Sequence, residues 1–266
     1  MRFRILGPLE VLGNDGNLIA ITRLKHRQLL CSLLLRANTT VTTDELTEAL
    51  WGAGPPRSIR SNLKTNVSRL RTELFDEAVP NRIQTCAFGY LIKVEPHEID
   101  ISAFDLLMRC GRRALRDHDL GVAAQAFEDA LAMWRAPDPL CDVPLHGSFA
   151  ARTADLGEQR LAAFEELMEI RVMDGQLDEV IGPLRMEVSR TPLRERLWGL
   201  LILALYQDGR RAEALDTYKQ LRAWLREELG IDPTASIQKL HQEVLTGELS
   251  SPLSRAAPYF RAARSS

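Results

Sequence analysis

Residues 58–75 bring together side chains suited to contact with a nucleic acid. From Arg57 to Thr72 the sequence holds five basic residues and no acidic one. Apolar residues recur every three or four positions and predict a helix with one buried stripe: Ile59, Leu63, Val67, Leu70 and Leu74. The opposite side is small and hydroxylated, so it can approach a major groove, while Arg, Lys and Asn reach bases and phosphates. The alternative is an ordinary amphipathic surface helix with a solvated basic face.

Elsewhere the sequence lacks the arrangements on which enzymes and metal sites depend. It contains no Ser/His/Asp, HExxH, paired-carboxylate or phosphate-loop pattern, and its five histidines are scattered. The only close Cys/His pair, Cys141 with His146, lacks two further ligands for a metal ion. We therefore expect no catalytic residue, no metal and no cofactor. The four cysteines form no CxxC pair, so reduced thiols in a cytoplasmic protein are expected.

Charge is unevenly distributed along the 266 residues. The formal net charge is −2, but residues 1–99 hold 13 basic against 10 acidic residues (+3) and the remainder holds 21 against 26 (−5). This asymmetry suits a nucleic-acid module joined to a part that does not bind nucleic acid. No apolar run approaches the roughly 18 residues that cross a membrane, and no signal peptide is evident. A membrane partner is therefore not expected.

The elements before the basic helix are expected to position it. Residues 2–12 and 18–21 predict short strands, and residues 22–38 predict a helix. Three basic residues in the first turns of that helix lie where unpaired backbone N–H groups attract a phosphate, or are simply solvated: Arg23, Lys25 and Arg27. A second helix begins with a capping box formed by Thr42 and Glu45.

A loop and two strands complete the pattern. The second helix ends at a turn-forming run: Gly52, Ala53, Gly54, Pro55 and Pro56. After the basic helix, residues 82–85 and 90–94 predict two strands around a short turn. The order of strands, three helices and a hairpin predicts a helix-turn-helix followed by a wing. The large apolar residues of this region are expected in the core: Trp51, Ile83 and Tyr90.

Three phrases, ELTEALWG, LKTNVSRLRTEL and RIQTCAFGYLIKV, resemble the OmpR/PhoB-type winged-helix DNA-binding domain over about residues 1–95. The resemblance implies that the basic helix enters the major groove. Its expected DNA contacts are Arg57, Ser61, Asn62, Lys64, Thr65, Ser68 and Arg69. Arg71 is expected on a phosphate, and Arg82 or Thr85 is expected to hold the DNA backbone from the base of the wing. The wing tip, residues 86–88, lacks the basic residue that related proteins place in the minor groove.

From residue 100 onward the pattern is helical, with Gly or Pro about every fifteen residues. One segment carries the spacing of a tetratricopeptide unit: Trp198, Leu201, Leu205, Gly209, Ala214, Tyr218 and Leu221. An earlier unit includes Gly111 and Phe127, and small residues in such units let paired helices approach closely. A non-repetitive helical bundle is the alternative. The proline-rich residues 136–144 are expected to interrupt the helices.

Two further phrases, ALAMWRAPDPLCDVP and LALYQDGRRAEALDTYKQLRAWLREELGIDP, resemble the bacterial transcriptional activation domain. A winged helix followed directly by that domain is the layout of the Streptomyces antibiotic regulatory protein family. The expected fold is mainly α with a small β part. It comprises a winged-helix domain over 1–96, an all-α tetratricopeptide-like domain over 97–247 and a disordered tail over 248–266. Without a receiver domain or a phosphate loop, the chain resembles a small, stand-alone member.

This resemblance implies a sequence-specific transcriptional activator of an antibiotic or other secondary-metabolite gene cluster. Its expected DNA target is double-stranded direct repeats near the −35 element, on which the chain is expected as a homodimer. It would recruit RNA polymerase through contacts that include the sigma factor, with residues 52–57 facing polymerase. The expected location is the cytoplasm, in association with the nucleoid. The alternative is an adaptor whose repeats bind a peptide or protein without specific DNA binding.

Overall fold

The computed structural model describes residues 1–75 and 81–247. Contacts group the chain into two compact units, Met1–Asp117 with Gln125–Ala163 and His118–Ala124 with Phe164–Ser266. The first unit includes residues on both sides of the boundary expected at 96–97. The expected tail over 248–266 lies outside the described residues.

The chain begins with small strands and helices and continues in helices. Its elements before residue 93 are β1 (Arg2–Arg4), β2 (Glu10–Leu12), α1 (Leu24–Leu35), β3 (Val41–Thr42), α2 (Thr43–Trp51), α3 (Ile59–Leu74), β4 (Ile83–Cys86) and β5 (Gly89–Ile92). A short 3-10 helix (Pro96–Glu98) then leads into α4 (Asp100–Arg116), α5 (Leu120–Ala132), α6 (Gly147–Met173), α7 (Leu177–Arg190), α8 (Glu195–Gln207), α9 (Arg211–Leu229) and α10 (Ala235–Thr246). The fold is therefore mainly helical with a small β part, as the sequence predicts.

Two small antiparallel sheets frame the helices of the first unit. β1 pairs with β2, with Phe3 opposite Val11. The second sheet has the order β3-β5-β4, so the wing hairpin of β4 and β5 is extended by the strand that precedes α2. The wing was predicted, whereas the pairing of β5 with β3 was not. Residues 18–21 form no strand and contribute only an isolated bridge between Leu12 and Leu18.

Local sequence accounts for the three helices of the winged-helix part. α1 is shorter than the predicted 22–38 and buries its leucines at helical spacing: Leu29, Leu30, Leu33 and Leu34. Burying each such side chain contributes about 1.5–3 kcal/mol. α2 begins with the predicted capping box, in which the Thr42 side chain accepts from the backbone of Glu45 and the Glu45 side chain accepts from the backbone of Thr42. Of the three expected core residues, Ile83 is buried while Trp51 and Tyr90 are half-buried against the core.

The core of the first unit extends well past the winged-helix part. Residues from the segment between α5 and α6, and from α6 itself, belong to the same apolar cluster as α1 and α3: Leu140, Val143, Phe149 and Leu156. Asp100, the first residue of α4, accepts backbone hydrogen bonds from Ile5 at 2.8 Å and Leu6 at 3.0 Å. The residues predicted as a helix-breaking loop are therefore also structural parts of this core.

Close helix packing in the first unit depends on one predicted small residue. A Cβ atom at Gly111 would lie 2.7 Å from the ring of Phe127, closer than real Cβ atoms approach other heavy atoms. α4 and the adjoining part of α5 therefore pack at this distance only because residue 111 has no side chain. This is the role that tetratricopeptide-like repeats give to small residues.

The second unit consists of packed helices, with α7 against α8 and α8 against α9. Trp198 of α8 donates its indole N–H to the Pro192 carbonyl at 2.8 Å. The buried carboxylate of Glu165 accepts from Arg194 at 2.6 Å and from Arg196 at 3.2 Å. A buried carboxylate requires such partners, because an unpaired one would carry a large desolvation cost.

Candidate nucleic-acid interface

Helix α3 presents opposite faces to the core and to solvent. Its buried face consists of four apolar residues that the spacing identified: Leu63, Val67, Leu70 and Leu74. Ile59, the fifth, is half-buried. The residues expected to contact DNA from this helix are all exposed: Ser61, Asn62, Lys64, Thr65, Ser68 and Arg69. At 100° per residue these six span about 160° of the helix surface, opposite the buried stripe.

Amide and hydroxyl groups on this face bond to their own helix. The Asn62 side-chain amide donates to the Ser58 carbonyl at 2.9 Å, and the Thr65 hydroxyl donates to the Ser61 carbonyl at 2.9 Å. Both bonds are made four residues back, a common local alternative to solvent for short polar side chains in helices. These groups therefore lie against the helix backbone and project little from it.

Cationic groups on and beside α3 have no partner within the described parts of the chain. Arg57, Lys64 and Arg69 are exposed, and none forms a hydrogen bond or ion pair there. The acidic residue at the end of the helix, Glu73, is directed away from them and accepts from His26 Nδ1 at 2.8 Å. No described residue pairs with these three cations, so their charge is available to phosphates.

Arg71 lies at the edge of α3 and joins the helix to the wing. Its guanidinium donates to the Ile83 carbonyl at 2.8 and 3.0 Å and to the Thr85 hydroxyl at 2.9 Å. Both Arg71 and Thr85 therefore have a structural role in addition to the DNA contacts expected of them. By tying β4 to α3, Arg71 fixes the wing relative to the exposed face of the helix.

Arg82 also has an intramolecular partner. It forms an ion pair with Glu98 of the 3-10 helix, a carboxylate that accepts from the Glu95 backbone N–H at 2.8 Å as well. Burial raises the pKa of Glu98, but the hydrogen bonds from Arg82 and from the Glu95 backbone outweigh it and hold that pKa below its usual range. The base of the wing is thereby attached to the segment that leads into α4.

The tip of the wing is apolar. Phe88 is 79% exposed, and its carbonyl accepts from the Thr43 backbone N–H at 2.9 Å. A Cβ atom at Gly89 would lie 1.9 Å from the Val41 carbonyl oxygen, so the pairing of β5 with β3 requires glycine there. The tip is held close to the start of α2 and carries no cation.

Comparisons with known proteins agree with this geometry. The model of the bacterial transcriptional activator domain matches residues 99–245, and that of the transcriptional regulatory protein C-terminal domain matches residues 17–92. Regulatory protein DnrI of Streptomyces peucetius is 32% identical over 93% of both chains. Transcriptional regulator RedD of Streptomyces coelicolor is 32% identical over 92% of this chain and 70% of its own. The chain belongs to the Streptomyces antibiotic regulatory protein family.

Larger relatives share the same two parts. Regulatory protein AfsR of Streptomyces coelicolor is 35% identical over 93% of this chain, which spans only 24% of AfsR. The structure of Mycobacterium tuberculosis EmbR in complex with a low-affinity phosphopeptide matches 99% of this chain and 70% of its own. Its TM-score is 0.85 and its identity 27%. The family fold, an OmpR-like winged helix followed by an all-helical activator domain, is thus the fold of this chain.

The three basic residues near the start of α1 differ in whether their charged groups have partners within the described residues. Lys25 donates to the Leu50 carbonyl and to Gln28 at 3.1 Å, and burial lowers its pKa. Arg27 forms an ion pair with Asp142. Arg23 is exposed and has no partner within the described residues. Of the three, Arg23 alone keeps its whole charged group available to a phosphate.

The loop that the family resemblance assigns to polymerase, residues 52–56, is mostly exposed. Ala53, Gly54 and Pro55 are exposed, while Pro56 is half-buried. Gly52 ends α2 with a φ of 55°, and a Cβ atom there would lie 3.5 Å from the His146 ring. The tip of this loop is therefore free for a protein contact. Gly52, the first residue of the loop, packs close to His146 of the first unit.

Sequence reasoning missed two contacts that support the interface of this family member. His26, 1% exposed, donates from Nδ1 to the Glu73 carboxylate, whose two oxygens lie 2.8 and 2.9 Å away, and so holds the end of α3. Asp100, at the start of α4, accepts from the backbone N–H of Ile5 and so holds the segment that follows β1. His26 occupies the buried face of α1, which is the one signal in the sequence that could have identified it.

The described residues form neither a metal site nor a membrane-spanning helix. Among residues 1–75 and 81–247, no group of three His, Cys, Asp or Glu side chains could hold a metal ion. In the same part of the chain, no helix combines the length and apolar composition that spanning a membrane requires.

Proposed function

We propose that this chain is a sequence-specific DNA-binding activator of transcription. One observation carries the proposal: α3 exposes a wide face of small polar side chains beside cations that have no partner among residues 1–75 and 81–247. In a winged helix this face enters the major groove, where bidentate contacts from arginine distinguish guanine. Lys64 and Arg69 are the side chains with the reach and freedom for base edges, and Arg57 for a phosphate.

The family resemblance supports a proposed target geometry. We expect double-stranded direct repeats near a −35 element, about one helical turn apart, so that two protomers lie on the same side of the duplex as a homodimer. Arg71 and Thr85 bond to one another across α3 and β4, and Arg82 bonds to Glu98. We therefore expect these three residues to fix the wing and to contact the DNA backbone only with their remaining donors.

Activation would follow from recruitment of RNA polymerase, including its sigma factor, to a weak promoter. The exposed tip of the α2–α3 loop at Ala53, Gly54 and Pro55 is the proposed contact. The variant Ala53→Glu should then bind DNA as the parent chain does and lose activation in transcription with purified polymerase. Equal loss of DNA binding would show that the loop acts on α3 and not on polymerase. The promoters are expected to belong to an antibiotic or related gene cluster, and the location to be cytoplasmic, at the nucleoid.

A second candidate function is that of an adaptor. The second unit has a groove of about 500 Å³ between α7, α8 and α9, and two tryptophans, Trp198 and Trp224, line it together with Glu213 and Arg185. Such a mixed apolar and charged groove suits a peptide segment. The presence of this groove does not conflict with DNA binding by α3. If the chain shows no sequence preference for DNA, the groove supports the adaptor function instead.

Selection of duplexes from a randomised library by the full chain distinguishes the two. At about 0.15 M salt, nonspecific binding weakens while specific binding persists. Enrichment of a repeated motif supports the activator, and a library that stays random supports the adaptor. The variant Arg69→Ala should relax the motif, whereas Arg222→Ala, a change of equal charge on an exposed ion pair with Asp232, should not.

A further inference from the structure

Helix α4 carries a stripe of arginines that the winged-helix interface does not use. Arg109, Arg112 and Arg116 are exposed, and none of them forms a hydrogen bond or ion pair within the described residues. At 100° per residue they fall within about 60° of the helix surface, over about 10.5 Å of its length. Arg113, on the edge of the stripe, is also exposed and lies 3.6 Å from Asp117. We call Arg109, Arg112 and Arg116 the α4 stripe.

Partnering of arginines differs between the two compact units. In the described part of the second unit every arginine forms a hydrogen bond or ion pair: Arg171, Arg185, Arg190, Arg194, Arg196, Arg210, Arg211, Arg222 and Arg226. The described arginines without a partner all lie in the first unit: Arg2, Arg23, Arg57, Arg60, Arg69 and the three of the α4 stripe. Unneutralised guanidinium groups are thus concentrated in the unit that contains α3.

Like charges at this spacing repel one another along a helix. The acidic side chain that acts on Arg109 and Arg112 from the same helix is Asp105, which is half-buried and forms no ion pair with either. Arg152 and Asp155, on α6, also act on Asp105 and lie 3.7 Å from each other. No described acidic side chain forms an ion pair with the stripe, so its guanidinium groups are available to an external anion.

We propose that the α4 stripe is a second contact with the phosphates of the DNA held by α3. The proposal rests on the DNA-binding function proposed above. Successive members of the stripe lie about 4.5 and 6 Å apart along the helix axis, so their long side chains can reach neighbouring phosphates of one strand. Guanidinium binds phosphate through paired, charge-assisted hydrogen bonds, a geometry that lysine does not reproduce.

The start of α4 is fixed with respect to the wing. Arg82, at the foot of β4, pairs with Glu98, two residues before α4 begins, and Asp100 itself bonds to the backbone of Ile5. The stripe lies about 14 to 24 Å further along the helix. In the proposal, this anchored helix contacts DNA that flanks the sequence read by α3.

The test measures the affinity of the full chain for a fluorescent 40-base-pair duplex of random sequence at several salt concentrations. Each phosphate contact changes the slope of log affinity against log salt by about 0.9. The triple variant R109Q/R112Q/R116Q should therefore lower the magnitude of the slope by about 2.7. Between 0.05 and 0.2 M salt, the affinity of this variant should then fall about 40-fold less than that of the parent chain. The variant R109K/R112K/R116K keeps the charge and should keep most of the slope.

A matched control removes the same charge from the second unit. In R210Q/R222Q/R226Q the exposed ion pairs with Glu213 and Asp232 are lost, and the slope should stay that of the parent chain. If the α4 triple variant and this control behave alike while K64Q/R69Q lowers the slope, the stripe does not touch DNA and this inference is overturned, with the function of α3 intact. If the parent chain shows no salt-dependent binding, both proposals are overturned.

Discussion

Asp100, at the start of α4, binds the backbone of residues 5 and 6, so its loss tests whether the N-terminal strand region and α4 share one core. Its side chain is 9% exposed and accepts from the backbone N–H groups of Ile5 and Leu6 and of its own neighbour Ile101. Ile5 and Leu6 are fully buried. In Asp100→Ala, no side chain would remain to accept from these two N–H groups.

The loss of an acceptor for the N–H groups of Ile5 and Leu6 should lower the free energy of unfolding substantially. Each buried polar group left without a partner costs about 1–3 kcal/mol, so two cost roughly 2–6 kcal/mol. Arg135, 3.6 Å from the carboxylate, would also lose its ion-pair partner there. Against a typical stability of about 5–15 kcal/mol, the change is large.

Urea unfolding of the full chain, followed by tryptophan fluorescence and circular dichroism, measures this loss. Asp100→Asn keeps one acceptor oxygen and should lose clearly less than Asp100→Ala. Asp117→Ala, at an exposed residue near the other end of α4, is the matched control and should change stability by less than about 0.5 kcal/mol. An Asp100→Ala chain as stable as the parent would refute the reasoning that these hydrogen bonds hold the strand region to α4.

Four further outcomes are expected. Arg69→Ala should cost about 1–3 kcal/mol at one base pair of the target and relax the preference there, measured by competition with single-base variants. Arg71→Ala should weaken binding to all sequences alike, reduce the salt slope and lower the melting temperature, because the wing loses its bonds to α3. The fragment 1–96 should be less cooperative in thermal unfolding than 1–163, since it lacks core residues that follow α5. Hydrogen bonds from the backbone and hydroxyl of Thr42 lower the pKa of Glu45. The stability that ionised Glu45 adds is therefore present above about pH 4.5 and is lost as pH falls through the lowered pKa. Glu45→Gln should remove this pH dependence from unfolding measured between pH 6 and pH 3.

Local patterns in the sequence predicted the parts of the fold that depend on near neighbours. The buried stripe of α3 follows from apolar spacing alone, and the capping box at Thr42 from two residues three apart. The wing hairpin follows from two short β-prone runs around a turn. In each case the physical cause lies within a few residues, so one sequence was enough to find it.

Contacts between distant residues could not be predicted in this way. Arg27 and Arg71 read as phosphate contacts in the sequence, but Arg27 pairs with Asp142 and Arg71 with the carbonyl of Ile83. Asp100 bonds to a residue 95 positions earlier. Such partners are determined by tertiary packing, which no local pattern records.

The role of the wing depends on features that only the structure shows. The absence of a basic wing tip was visible in the sequence, whereas the exposure of Phe88 and the requirement for glycine at residue 89 were not. Likewise, the sequence shows the arginines of α4, but only the structure shows which of them have no partner. Candidate contacts are therefore best chosen by exposure and free donors, in addition to position in a motif.

DNase footprinting on promoter regions around the chain's own gene tests the central claim most directly. The full chain at about 0.15 M salt with competitor DNA should protect two repeats whose centres lie about 10–10.5 base pairs apart. K64A/R69A should lose this protection, whereas R222A/R226A, which alters only exposed ion pairs with Asp232, should retain it. Absence of any protected site at micromolar protein, or protection unchanged in K64A/R69A, would contradict the claim that α3 reads DNA.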